Sequence, residues 1–126
     1  MNGGLDRDDC VTEGLALLEA SRWFEAHEVL EHAWRATPQS AERTLLQALI
    51  HLAVSMEHAR RGNLIGERGQ WEKARFKLAA LPNACLGIDV GTTLRVWTEF
   101  REAFPTGTPH AEPAAPRPRV RRTTHD

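Results

Sequence analysis

A chain of 126 residues with a formal net charge of −1 and a pI near 6.6 is one domain's worth of protein, with no global field to recruit nucleic acid or an anionic membrane. Its apolar set is mostly Ala and Leu and it has no Tyr, a balance that favours helices over pleated sheets. Cys10 and Cys85 share no metal-type or disulfide-type spacing, so a reduced, cytoplasmic setting is expected.

The first residues carry neither a basic nor an apolar leader region, so no signal peptide is expected. Asp6, Asp8 and Asp9 supply caps and negative charge for a first helix with Val11, Leu15 and Leu18 on its apolar stripe. It should stop near Ala20 and Ser21. A second helix is predicted from about Arg22 to Ala36, ended by Thr37-Pro38. Ser40 is a partial N-cap for a third helix reaching Arg61, with Gly62-Asn63 as its left-handed stop. The apolar part of that helix, residues 45–56, is too short and too interrupted by Gln47 and His51 to span a bilayer. Gly66 and Gly69 should loosen the next connection. A fourth helix then carries Trp71, Ala74, Leu78 and Leu81 up to Pro82, residues 83–91 read as loop, and Asp89 or Thr92 caps a fifth helix bearing Leu94, Trp97 and Phe104. From Pro105 onward Pro alternates with Ala, Thr and Arg, a composition that predicts a disordered tail. The expected architecture is all-α: a compact array of five to six helices built from antiparallel hairpins over residues 1–104, with a Pro/Arg-rich tail over 105–126.

The second helix draws attention when projected at about 100° per residue. Trp23, Ala26, Val29, Leu30, Ala33 and Trp34 form an apolar arc; His27 and Glu31 fall inside it, and Glu28 lies at its edge. A buried carboxylate must be paired, hydrogen-bonded or protonated. On the third helix, Thr44, Gln47, His51, Ser55 and His58 make one narrow polar strip with no charged residue other than imidazole. If the two helices pair around Pro38-Gln39 with residue numbers summing to roughly 78, His27 meets His51 and Glu31 meets Gln47. Three readings of this cluster stay open: a structural hydrogen-bond network, a ligand or acid–base pocket, and a metal site. The metal reading lacks a complete set: Glu28-Val29-Leu30-Glu31 is E-x-x-E rather than E-x-x-H, and no H-E-x-x-H is present. No metal and no cofactor are therefore expected.

The run Trp23-Phe24-Glu25-Ala26-His27-Glu28-Val29-Leu30-Glu31-His32-Ala33-Trp34-Arg35 resembles the signature of the domain-of-unknown-function family 309. Leu46-Gln47-Ala48-Leu49-Ile50-His51-Leu52-Ala53, His58-Ala59-Arg60-Arg61-Gly62-Asn63, Gly66, and more weakly Gly87-Ile88-Asp89-Val90 continue the likeness, over about Leu5 to Phe104. The resemblance implies a small helical array of prokaryotes with no established activity, cofactor or partner. By position it marks His27, Glu28, Glu31, Trp34, Gln47, His58, Arg61, Gly62 and Asn63 as the family's polar motif. Ser21 stands where the family usually has Gly, and His51 where Gln is usual.

These readings converge on a non-catalytic ligand-binding or protein-interaction module with a polar groove between the second and third helices. The groove's candidate residues are His27, Glu28, Glu31, Trp34, Gln47, His51, His58, Arg61 and Asn63. The alternative is a hydrolase or proton-transfer enzyme, possibly metal-assisted, working from His27, Glu28 and Glu31. The expected partner is a small molecule or a protein, not a specific nucleic acid and not a membrane; Arg117, Arg119, Arg121 and Arg122 could give only weak, salt-sensitive nucleic-acid contact.

Overall fold

Helix α3 (Ala41–Arg60) organises the molecule. Leu45, Leu46, Ala48, Leu49, Leu52 and Ala53 are all fully buried, and with Ile50, Ser55 and Ala59 they spread over more than half of its circumference. A helix buried over so wide an arc must be covered from more than one side. Helix α2 (Trp23–Arg35) and helix α4 (Leu64–Ala79) cover it, and α1 (Arg7–Glu19) packs on α2. The structure is a computed structural model that describes residues 6–103 and 120–122. Successive helices pack as antiparallel neighbours, the all-α array that the composition predicts. Among the described residues no helix is long and apolar enough to cross a membrane.

The helix ends follow local chemistry. Asp6 accepts a hydrogen bond from the Asp9 amide at the start of α1 (2.8 Å), and Ser40 Oγ accepts from the Arg43 amide at the start of α3 (3.2 Å). Gly62, at φ +78°, takes the left-handed conformation that ends α3. Asn63 then caps α4 at once, accepting from the Gly66 amide at 2.9 Å. Gly66 and Gly69 therefore lie inside α4 rather than in a loosened connection. The reason at Gly66 is space: a Cβ there would come within 2.7 Å of the Asn63 amide and 2.9 Å of the His58 ring.

Two further features depart from the expectation. Residues 84–89 form a small hairpin, β1 (Ala84–Cys85) antiparallel to β2 (Ile88–Asp89), turned by Leu86 and Gly87 at positive φ. Asp89 then accepts from the Thr92 amide (3.0 Å) and starts α5 (Val90–Ala103). The second departure lies in the tail. Residues 105–119 and 123–126, and Phe104 at the expected end of the fifth helix, lie outside the described residues. Of the tail, residues 120–122 are described, and they pack on the domain. Val120 is buried, the Arg121 carbonyl accepts from the Asp89 amide at 2.8 Å, the Arg121 amide donates to Thr93 Oγ1 at 3.0 Å, and Arg122 bridges Ile88. Composition identified the Pro-rich stretch and passed over the single valine beyond it. Truncation after Ala103 should accordingly lower stability by about 1–3 kcal/mol, the range for burying one Val with its backbone hydrogen bonds. Urea unfolding of the truncated chain checks this, and an unchanged midpoint would show that Val120 contributes nothing.

Candidate functional site

The predicted pairing between α2 and α3 holds near their turn and fails away from it. At the turn the Arg43 guanidinium lies over the Trp34 ring, 4.2 Å from its centroid, and Nη1 donates to the Thr37 carbonyl at 2.9 Å. One helix length away, His27 meets Glu57 instead of His51: Nδ1 lies 3.5 Å from Oε1, in a half-buried pair beside the edge of Phe24. Arg43 and Glu57 lie within about 40° of each other on the α3 wheel, and they mark the face turned to α2. His51 sits about 80° away from Arg43 on that wheel, so its polar strip faces α4. There His51 Nδ1–H donates to Gln70 Oε1 at 2.7 Å.

Glu31 does not meet Gln47. Its side chain is 36% exposed and it bridges Arg35, one turn on along the same helix, at 3.3 Å. Glu28 is exposed, and Gln47 is half-buried. His58 Nδ1 lies 3.2 Å from the Asn63 amide nitrogen at the α3–α4 corner, where Asn63 serves as the cap of α4. Arg61 is exposed at the C-cap of α3. Six of the nine predicted residues therefore scatter into four places, the His27 pair, the Trp34–Arg43 stack, the His51–Gln70 link and the corner after α3, while Glu28, Glu31 and Gln47 join none of them. The buried Glu31/Gln47 and His27/His51 contacts are not formed. Among the described residues no three His, Cys, Asp or Glu side chains gather where they could hold a metal.

What the structure offers as a site lies beside the His27–Glu57 pair. An open cleft of about 560 Å³ is lined by Ser21, Arg22, Trp23, Phe24, Glu25, Glu57, Arg60 and Arg61. It brings the α1–α2 turn and the first turn of α2 against the last turn of α3. Ser21 sits there at φ +60°, a left-handed conformation that accounts for the glycine expected at this position. Its Oγ is shut away from solvent with no hydrogen-bond partner among the described residues. Trp23 is buried in the wall, while Phe24 is 55% exposed at the rim. Arg22 pairs with Glu25, and no side chain caps α2 from the Arg22 position. Arg60 and Arg61 are exposed and have no carboxylate partner among the described residues. Arg61 is the one predicted site residue that lines this cleft. Glu57, whose carboxylate links cleft and imidazole, escaped notice because it ends a helix outside the polar strip.

Two buried polar links hold the neighbouring helices. Glu67 on α4, 5% exposed in its side chain, forms an ion pair with Arg101 of α5, its Oε2 2.9 Å from Nε, and the Arg101 guanidinium faces the Trp71 ring at 5.9 Å. Burial pushes the Glu67 carboxyl above the ordinary carboxylate range, with Arg101 and Arg68 partly offsetting it. The His51 imidazole moves the other way. Burial lowers its pKa from the ordinary value, the Gln70 contact opposes this, and Lys77 and Lys73 add to the lowering. A histidine depressed on folding contributes stability above its unfolded-state pKa and loses it as pH falls through the folded-state value. Stability should therefore drop as pH falls below about 6.5, and His51→Gln should flatten that slope. Urea midpoints of both proteins across this pH range decide it; parallel curves would remove His51 from the account.

Comparison with known proteins adds a family but no activity. The chain is 31% identical over 86 residues to the uncharacterized protein YpuF of Bacillus subtilis (strain 168), a match covering 67% of this chain. It spans about half the length (49%) of that relative. Residues 11–69, from the second turn of α1 into α4, match the family described as Domain of unknown function (DUF309). That span contains the α2 signature, all of α3 and every residue lining the cleft, so the likeness to this family takes in the whole cleft.

Proposed function

We propose that this chain is a non-catalytic binding module that takes a small ligand in the cleft between the start of α2 and the end of α3. The observation that carries the reading is the cleft itself: about 560 Å³ of open volume, walled by two aromatic rings and by charged groups from two helices. Small-molecule sites have this size and this mixture of apolar wall and few polar groups. The dispersal of His27, Glu28 and Glu31 supports binding over acid–base chemistry, because Glu28 is exposed and Glu31 is taken by Arg35. The enzymatic alternative rests on one observation, the His27–Glu57 pair next to the cleft. We place the module in a reducing, cytoplasmic setting, a reading supported by Cys10 and Cys85 both being free thiols whose pKa values burial raises.

A thermal-shift screen of small polar and aromatic compounds tests the reading. Compounds that raise the melting temperature should lose the effect in Phe24→Ala, an exposed rim substitution that leaves the core intact. Hits indifferent to Phe24→Ala but lost in Gln47→Ala or His51→Ala would move the site to the other side of α3.

A further inference from the structure

The cleft's charged groups are not equivalent. Arg22 and Glu25 pair with each other across the first turn of α2, and Glu57 faces His27. Two guanidinium groups remain, those of Arg60 and Arg61, each exposed and each without an acidic partner among the described residues. They stand in consecutive positions at the end of α3 and line the cleft together with the first turn of α2. The α2 turn has no side-chain cap, so its leading amides are open to an acceptor, apart from that of Glu25, which its own carboxylate reaches. Ser21, whose hydroxyl oxygen is buried and unpartnered among the described residues, lies just beneath this surface. Planar guanidinium forks and free amides are donors that a tetrahedral oxyanion can satisfy together. An anion is the better match, because three guanidinium groups line the cleft against two carboxylates, one of which, Glu25, already pairs with Arg22.

We infer that the ligand carries a phosphate group, held by Arg60 and Arg61 against the first turn of α2, and a flat apolar part that rests on Phe24. This rests on the cleft reading above and gives it a ligand class: a soluble phosphate monoester bearing a ring. Phe24, 55% exposed at the rim, is the surface that such a ring covers. The two arginines supply the charge, so binding weakens with salt.

Isothermal titration of the full chain with inorganic phosphate, phenyl phosphate and phenol separates the parts. Phenyl phosphate should bind more tightly than either fragment. Arg60→Gln and Arg61→Gln should each weaken phenyl phosphate by about tenfold, the scale of a lost charge-assisted hydrogen bond. Phe24→Ala should weaken phenyl phosphate and leave inorganic phosphate unchanged. Circular dichroism of each variant establishes that it is folded, and both arginines are exposed enough to be replaced. No binding of either phosphate compound at millimolar concentration, or binding that both arginine variants keep, overturns the inference. Phenol binding that depends on Phe24 would leave the cleft reading standing while the phosphate falls. If no compound here or in the thermal-shift screen depends on Phe24, both fall.

Discussion

Arg101→Ala is expected to cost about 3–5 kcal/mol of unfolding free energy, the range for removing one partner of a buried ion pair. The loss comes less from the missing bond than from what stays behind. Glu67, 5% exposed, would keep its charge with neither Arg101 nor water to stabilise it. The pH dependence follows from the direction of its shift. A carboxyl raised on folding is most favourable below its unfolded-state pKa, and its contribution declines as pH rises through the folded-state value. The cost of Arg101→Ala should therefore be largest near neutrality and shrink in acid, where Glu67 is protonated and no charge is stranded. Glu67→Gln, which leaves a neutral group beside a guanidinium that still touches solvent, should cost less than Arg101→Ala at pH 7. Equal losses at every pH would mean that packing of the Arg101 stem on Trp71, not charge, makes the contact.

Leu30→Ala should cost a further 2–5 kcal/mol in its own right, as fully buried leucines do. Leu30 packs against the middle of α1. Gly14 in mid-α1 has no side chain because Leu30 fills the place: a Cβ there would lie 2.5 Å from Cδ2 and 2.6 Å from Cγ. Gly14→Ala gains helix propensity of about 1 kcal/mol yet forces a side chain with no free volume to move, so it should destabilise by about 1–3 kcal/mol. In the Leu30→Ala background the clash is gone and the same substitution should become neutral or stabilising. That reversal of sign is the signature of contacting residues, and additive losses would contradict the packing described.

The fold was legible where local chemistry decides it. Asp6, Ser40, Pro38 and Gly62 mark helix ends through caps, a blocked backbone and a left-handed residue, and all of these act within one turn. The hairpin was not legible: its strands have two residues each, and Leu86-Gly87 replaces the Asn-Gly that usually announces such a turn. Val120 was hidden by the Pro-rich stretch before it. The site fared worse, because it depends on how helices rotate and cross rather than on either helix alone. A constant residue sum assumes parallel axes and a known facing edge; the Trp34–Arg43 stack satisfies that near the turn, and the His27–Glu57 pair shows the drift beyond it. Glu67 did leave a signal. It sits on the Trp71, Ala74, Leu78 stripe at spacings of four, three and four, where a lone charge calls for a buried partner.

The most direct test of the proposed ligand cleft is a ¹⁵N chemical-shift titration of the full chain with phenyl phosphate. The cleft assignment predicts that the largest changes gather on two separated stretches, Ser21 to Glu25 and Glu57 to Arg61, and saturate together. Changes centred instead on Gln47, His51 and Gln70, where α3 meets α4, would contradict it.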